Sequence, residues 1–395
     1  TGDRAFLEEI YPFCKAGLLD YTLGQCDLDG DLCAAGRSII ETLEMHADFE
    51  CIDIASYTWE ALTFLAAMAQ AVDDSATVEV ATQTAARLAE CIRREWWLAE
   101  EGLFADVRAT VPQVAAALQQ IDSRQAEPDW PALAPQAAQA HRLFDAQLNA
   151  RRDSPPAVDL PWLLRHWVVM CPVEVGVATP EQAAQTFARL LSPEFCNEWG
   201  MYLHPERRDV MSINSGLLAL TLVRYGRIAE ALKLMQAQVA ALTMRMPGAI
   251  SEALPDQWCF LQLWSALGVI SPIVEGVLGI EPQAGDRRLQ VIPHLPSDWP
   301  TVTLERFQVG ESTFTVRVRQ SPTVYQLTVI HSKGPAYALR VGFYLPATAA
   351  VVAVYLNGQA VPWRWETTNA GRRLVCDANG AADLVVTVTP IDAGR

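Results

Sequence analysis

The stretch MSINSGLLALTLVRYGRIAEALKLMQAQVAAL (residues 211–242) contains two adjacent helical segments with different patterns. The first segment, over 212–225, is apolar on nearly every side and stops at Gly226, a residue type common just after a helix. The second segment, over 228–246, is amphipathic, with an apolar stripe at Ile228, Leu232, Met235, Val239 and Leu242. A helix that is apolar all round must be covered on every side, whereas a striped helix faces water. The stretch therefore predicts an inner helix followed directly by an outer one.

The same alternation recurs over the first 284 residues. The apolar segments are 53–72, 160–170 and 257–272, and further striped segments are 77–97 and 180–191. The outer segment 5–24 pairs with 53–72, 180–191 with 212–225, and 228–246 with 257–272. Segment 77–97 pairs with 160–170, unless 104–151 forms a hairpin of its own, so the sequence predicts four or five hairpins. Because inner and outer helices alternate, residues 1–284 are predicted to form an (α/α) toroid, which a simple bundle of striped helices would not give.

The composition changes near residue 285. Short β-branched runs separated by turns follow, as in STFTVRVRQ (312–320) and DLVVTVTP (383–390), and Asn357-Gly358 is a typical hairpin turn. Roughly seven such runs favour an antiparallel β-sandwich over residues 285–395.

Charge and cysteine usage exclude several classes of protein. The 395 residues are 51% apolar, and 30 Lys and Arg stand against 46 Asp and Glu, a formal net charge of −16. Nucleic acids and anionic membranes need clustered positive charge, so neither is an expected partner. No apolar run is long enough to span a bilayer. The nine cysteines form no CxxC pair and no zinc-type spacing, which predicts free thiols in a reducing compartment and a cytoplasmic location.

These features resemble the six-hairpin (α/α)6-barrel glycosidases, nearest to amylo-1,6-glucosidase, or glycogen-debranching-like, domains. The likeness covers most of the chain and is carried by TGDRAFLEEIYPF (1–13), GRSIIETLEMHADFECIDIASYTWEAL (36–62), EGLFADV (101–107), the hairpin quoted above, and SEALPDQWCFLQLWSALGV with GIEP (251–282). Six hairpins are usual in that family. The resemblance therefore implies that an upstream segment or a partner chain completes the barrel.

The family hydrolyses glycosidic bonds with two carboxyl groups, one a general acid and one a general base or nucleophile. The resemblance makes Glu252 the general base, because it lies on the loop between 228–246 and 257–272. It places the general acid in the loop 27–53, with Glu41 first and Glu44 and Asp48 as rivals. Asp53 is a further rival, although it is also expected to cap helix 53–72.

Aromatic and amide side chains near these loops are the predicted sugar contacts. Pyranose rings pack on aromatic faces, so Trp59, Trp258 and Trp199 are candidates, with Gln262 and Asp53 as polar contacts. Core packing is the alternative for each tryptophan and is the expected role of Trp264. Gln262 stands in an apolar segment and needs a hydrogen-bond partner, either a sugar hydroxyl or a neighbouring loop carbonyl.

The predicted function is a glycoside hydrolase acting on a neutral α-glucoside or oligosaccharide, with inversion. Inversion would place the two carboxyl groups roughly 6.5–9.5 Å apart. Two alternatives stay open: an exo-glycosidase of the α-L-rhamnosidase type, and a non-catalytic carbohydrate-binding or scaffold fragment. No organic cofactor is expected, and no metal site is predicted, because the acidic turn DLDGDL (27–32) lacks the spacing of a calcium loop.

Overall fold

The structure, a computed structural model, describes residues 2–36, 49–128 and 130–389. They group into two units. The N-terminal unit comprises Ala5–Asn197 and Met201–Val210, and the C-terminal unit comprises Thr1–Arg4, Glu198–Gly200 and Met211–Arg395. The domain boundary between residues 284 and 285 stays a prediction from the sequence.

The N-terminal unit is mainly helical. Its helices are α1 (Arg4–Lys15), α2 (Leu23–Gln25), α3 (Ile52–Ala71), α4 (Ser75–Glu95), α5 (Val111–Ser123), α6 (Trp130–Arg151), α7 (Cys171–Glu174) and α8 (Pro180–Leu190), with a π-helical turn at Ala16–Thr22. Its strands are β1 (Glu50–Cys51), β2 (Trp97–Leu98), β3 (Leu103–Phe104), β4 (Val107–Ala109), β5 (Leu160–Trp162), β6 (Tyr202–His204) and β7 (Arg207–Met211).

Side-chain caps explain where several of these helices begin. Thr110 at the start of α5 and Thr179 at the start of α8 each form a capping box with a glutamine three residues later. Asp74 accepts the N–H of Thr77 at the start of α4. Helices α5 and α6 pack against each other, so the separate hairpin considered for 104–151 is the arrangement that forms, over part of that range.

The predicted helix over 160–170 is wrong. The segment begins with strand β5 and ends in a 3-10 turn at Trp167–Met170. Between them, the N–H groups of Leu164, Arg165 and His166 all donate to the buried carboxylate of Asp106. These donors are therefore not used in helical hydrogen bonds. The prediction that α3 is covered on every side also fails in part, because Phe64 is 62% exposed.

A small antiparallel sheet, in the order β1-β4-β5, lies at the start of α3. Glu50 pairs in register with Arg108, and Val107 pairs with Trp162. The sheet thus brings residues from three distant parts of the sequence to the loop that precedes α3.

The C-terminal unit begins with the quoted hairpin. Helix α9 (Ser212–Arg224) packs on α10 (Ile228–Ala241) and on α11 (Leu267–Ser271), which follows a 3-10 turn at Leu263–Ala266 and precedes a π-helical segment at Pro272–Val277. Gly226 adopts a φ of 71°, which confirms the predicted helix stop. A Cβ on Gly216 would lie 2.6 Å from the Cα of Gly268, so α9 and α11 touch through their backbones.

The remaining strands of this unit are β8 (Ala253–Leu254), β9 (Ile280–Gln283), β10 (Arg288–Val291), β11 (Thr301–Val309), β12 (Ser312–Gln320), β13 (Val324–Lys333), β14 (Ala338–Tyr344), β15 (Val351–Leu356), β16 (Gln359–Ala360), β17 (Arg364–Thr368), β18 (Gly371–Asn379) and β19 (Ala382–Val388). One sheet has the order β17-β18-β14-β10-β9 and another the order β11-β12-β13-β19-β15-β16. Buried side chains of both sheets, including Val341 and Phe314, form one hydrophobic cluster.

One feature of the sheet region differs from the prediction, and another confirms it. Strand β10 pairs with β14 in parallel, so the region is not wholly antiparallel. Asn357 and Gly358 both have positive φ between β15 and β16, which confirms the predicted hairpin turn. Among the described residues, no helix is long and apolar enough to cross a bilayer.

Candidate functional site

The segment between α10 and the 3-10 turn at Leu263–Ala266 folds back on itself as a hairpin. The N–H of Gln262 donates to the carbonyl of Ile250 at 3.1 Å, and the N–H of Glu252 donates to the carbonyl of Cys259 at 2.7 Å. The predicted start of the inner helix at 257 is therefore wrong: residues up to Gln262 bond across the hairpin, and helical structure begins at Leu263. We call residues 250–262 the Glu252 hairpin.

Glu252, the predicted general base, is held by its backbone. Its carbonyl accepts the N–H of Ser212 at 2.9 Å, and the Oγ of Ser212 lies 3.0 Å away. Its side chain is half-buried, and the Oε2 accepts the N–H of Cys259 at 3.3 Å. The hairpin thus fixes the main chain at this residue and leaves the carboxylate partly open to solvent.

A buried network of polar side chains supports this arrangement. The Oε1 of Gln262 lies 2.6 Å from the Oγ of Ser265 and 3.1 Å from the Oγ of Ser212. The partners of Gln262 are therefore serine hydroxyls, which neither sequence alternative named. Through Ser212, the structure brings Glu252 and Gln262 together on one hairpin.

Apolar side chains around the hairpin are unusually exposed. Trp258 lies on it with 37% exposure, and Trp264 and Leu263 directly after it are 66% and 85% exposed. The expectation that Trp264 fills the core is wrong. Because the helical segment starts late, two tryptophans that the sequence assigned to an inner helix are instead exposed, Trp258 on the Glu252 hairpin and Trp264 directly after it.

The other predicted sugar contacts lie elsewhere. Trp59 is half-buried in the middle of α3, and Trp199 is half-buried in the short Glu198–Gly200 stretch of the C-terminal unit. Asp53 is buried in the first turn of α3. It does not cap that helix, because the capping position belongs to Cys51. Its carboxylate still stands where the helix dipole favours negative charge.

The general-acid candidates Glu41, Glu44 and Asp48 lie outside the described residues. Two acids in the described part of their loop, Asp29 of the acidic turn and Glu50, meet Asp159, which lies far along the chain. Carboxylate oxygens of Asp29, Glu50 and Asp159 lie within 4.8 Å of one another. Glu50 was missed because its neighbours Arg108 and Asp159 are distant in sequence, and the only signal was its position just before α3.

Arg108 is a buried positive charge that pairs with Glu50 and with two further acids, Asp31 and Glu95. Its Nη1 pairs with Asp31 and lies 3.0 Å from the Oε2 of Glu50, and its Nη2 lies 3.2 Å from Glu95. Three acids thus share one buried guanidinium. Burial raises the pKa of Glu50 to about 9, although Arg108 opposes the shift. Glu50 is only 8% exposed, and the raised pKa favours its protonated form.

Asp106 has a different role. It is fully buried, and burial raises its pKa to about 7 even though three backbone N–H groups donate to its carboxylate. Those bonds hold the 164–166 segment against β4 and β5. We therefore assign Asp106 a structural role in this loop and no catalytic role.

Comparison with solved structures finds proteins of similar fold and low sequence identity. A GH78 family rhamnosidase of Bacillus sp. GL1 aligns with a TM-score of 0.54 and 16% identity, over 88% of this chain and 31% of that one. The α-L-rhamnosidase from Dictyoglumus thermophilum aligns with 0.54 and 12%, over 98% and 38%. A structure described as a sialidase aligns with 0.59 and 12%, over 95% and 31%.

These likenesses show a fold that glycoside hydrolases also have, and they give no specific support to an amylo-1,6-glucosidase. The chain spans 31–38% of the length of the three structures. No protein-family model matches the chain, and no curated protein is similar to it in sequence.

Proposed function

We propose that this chain forms part of a glycoside hydrolase that cleaves a neutral glycosidic bond, with Glu252 as the general base. The observation that carries the proposal is the Glu252 hairpin, which holds a partly open carboxylate and has exposed tryptophans on it and directly after it. The shared fold with rhamnosidases supports it. The architecture we propose is a toroid of helical hairpins followed by a β-sandwich.

The geometry suits a base that activates water. Such a group must be fixed in position yet within hydrogen-bond reach of a solvent molecule. The main chain of Glu252 is bonded to both Ser212 and Cys259, while only the Oε2 of its carboxylate has a described hydrogen bond, to Cys259. The Oε1 is therefore the oxygen that we propose receives the water proton.

The general acid is proposed to come from the loop 27–53. Glu41, Glu44 and Asp48 remain the candidates from the sequence. We add Glu50 to them, because burial raises its pKa, which is the direction that a proton donor requires. Single Gln or Asn variants distinguish the four. Without the general acid, substrates with a good leaving group, such as p-nitrophenyl glycosides, should still be hydrolysed at a similar rate, whereas alkyl glycosides should be hydrolysed more slowly.

Two classes of sugar are candidates for the substrate. The sequence resemblance implies an α-glucoside, whereas two of the solved structures are named as rhamnosidases. We propose α-L-rhamnosides as the first substrates to test and α-glucosides as the second. Proton NMR of the first-formed anomer on the substrate that is cleaved gives the stereochemistry. Inversion is the expected result, and release of the retained anomer would remove that part of the proposal.

A non-catalytic role is the second candidate, and the exposed surface at Leu263 and Trp264 favours it. In a toroid of nested helices this surface would be covered. Under this second candidate, an upstream segment or a partner chain covers the surface in the working protein, and no sugar stacks on Trp264. Light scattering on the isolated chain, with sugar-binding and cleavage assays, separates the cases: binding without cleavage of any tested glycoside supports the non-catalytic role.

A further inference from the structure

Two cysteines of the N-terminal unit are in direct contact. The Sγ of Cys33 lies 3.6 Å from the Sγ of Cys91. Cys33 follows the acidic turn and is buried, whereas Cys91 lies in the last turns of α4 and is partly exposed. A disulfide requires sulfur atoms about 2.0 Å apart, so each side chain has to move by less than about 1 Å.

The surroundings make the two thiols unequal. The Nη1 of Arg108 lies 3.8 Å from each sulfur, so a guanidinium faces the pair. The hydrogen bond between the two thiols lowers the pKa of Cys91, and the charge of Arg108 lowers it further. The same hydrogen bond, together with burial, raises the pKa of Cys33. Cys91 is thus both the more accessible thiol and the more readily ionised one, which are the properties of a redox-sensitive cysteine.

We propose that Cys33 and Cys91 form a redox site, in which peroxide oxidises Cys91 and Cys33 then closes a disulfide between the acidic turn and helix α4. In the first step the Cys91 thiolate attacks one peroxide oxygen, giving a sulfenic acid and releasing hydroxide, which takes up a proton to become water. In the second step Cys33 loses its proton, attacks the Cys91 sulfur and displaces a second water. Two thiols and one peroxide thereby give one disulfide and two waters, and a dithiol reverses the change.

The disulfide has a defined structural consequence. The N–H of Cys33 donates to the Oδ1 of Asp31 at 2.7 Å, and Asp31 pairs with Arg108. A bond from Cys33 to Cys91 therefore links the acidic turn covalently to α4, close to the ion pairs that Arg108 makes with Asp31, Glu50 and Glu95. The inference does not depend on the proposed glycosidase activity.

The test is peptide mapping of the whole chain. The folded protein is treated with hydrogen peroxide, free thiols are blocked with iodoacetamide, and a non-reduced digest is read by mass spectrometry. We expect a linked Cys33–Cys91 peptide that disappears on reduction with dithiothreitol. The control variant Cys259→Ser, which removes an exposed thiol, should leave that peptide unchanged.

The Cys33→Ser variant tests the order of the steps. Without Cys33 the sulfenic acid of Cys91 should persist, so labelling of Cys91 by dimedone should rise at least several-fold above the wild type. The proposal is overturned if peroxide oxidises Cys259 in the wild-type protein while no Cys33–Cys91 peptide forms. That result needs no variant and so does not depend on how the serine substitutions fold.

Discussion

The backbone carbonyl of Glu252 accepts the N–H of Ser212, the first residue of helix α9, at 2.9 Å. This bond joins the hairpin that carries the proposed base to the start of a buried helix. It explains how a loop glutamate can be held in one place without a charged partner for its carboxylate among the described residues.

Replacing Ser212 with alanine should weaken this support. The change removes the hydroxyl shared by Glu252, Gln262 and Ser265 and leaves buried polar atoms with fewer partners. We expect the free energy of unfolding to fall by about 1–3 kcal/mol in urea denaturation. Ser123→Ala, at an exposed helix end, should change it by less than about 0.5 kcal/mol. Equal stability of both variants would argue against the network.

The contact between α9 and α11 gives a prediction about the fold. A Cβ on Gly216 would lie 2.6 Å from the Cα of Gly268, and backbone cannot move aside as a flexible side chain can. Gly216→Ala should therefore lower the thermal midpoint clearly, with an expected cost of about 1–3 kcal/mol or more. Gly17→Ala, where nothing lies within 4 Å, is the matched control. It should leave the midpoint unchanged or raise it slightly, and a harmless Gly216→Ala would contradict the helix contact.

The raised pKa of Glu50 predicts that the stability of the protein depends on pH. Its pKa is about 9 in the folded protein against an ordinary 4.5, so the folded state binds more protons than the unfolded state between these values. The free energy of unfolding should therefore fall as pH rises through this window, by up to about 1.4 kcal/mol per pH unit from this group. Glu50→Gln has no proton to lose, so its stability relative to the wild type should increase from pH 5 to pH 8.

Denaturation curves of the two proteins at both pH values measure this difference. The titration of Asp106 contributes to the stability of both proteins and cancels in the difference between them. If Glu50 is instead ionised by Arg108 throughout, the cost of Glu50→Gln will be the same at pH 5 and pH 8.

Substitution of Trp264 tests whether its exposed side chain binds sugar. The side chain is 66% exposed, so Trp264→Ala should change stability by less than about 0.5 kcal/mol. If a sugar ring stacks on it, the loss of about 0.5–1.5 kcal/mol of aromatic contact should raise KM about twofold to tenfold. Trp363→Ala, at a partly exposed tryptophan of the sheet region, should leave KM unchanged. An unaltered KM in Trp264→Ala would remove this side chain from the site.

Local sequence signals predicted much of the secondary structure. Gly226 ends α9 and Asn357-Gly358 turns the β15–β16 hairpin, because positive φ strongly favours glycine and asparagine. Strand β11 was missed because a bulge between Leu304 and Phe307 breaks its alternation. The helix expected from 257 was wrong because apolar character does not distinguish a helix from a hairpin over such a short run.

The candidate site was less predictable. Glu252 was found because it lies on the loop before an apolar segment that the family resemblance marks. The meeting of Glu50, Arg108 and Asp159 depends on pairing of β1 with β4 and on a loop far along the chain. Such long-range contacts leave no periodic pattern in a single sequence. The same holds for Cys33 and Cys91, whose sulfurs meet across 58 positions.

Turnover by the Glu252→Gln variant tests the proposed role of Glu252 as the base most sharply. The substitution keeps the size of the side chain and removes its ability to take a proton, so hydrolysis of the best substrate should slow by about a hundredfold or more. Asp256→Asn, an exposed acid on the same hairpin, should retain the wild-type rate, and both variants should unfold at the wild-type temperature. A Glu252→Gln protein that is folded and cleaves the substrate at the wild-type rate would contradict the assignment of Glu252 as the base.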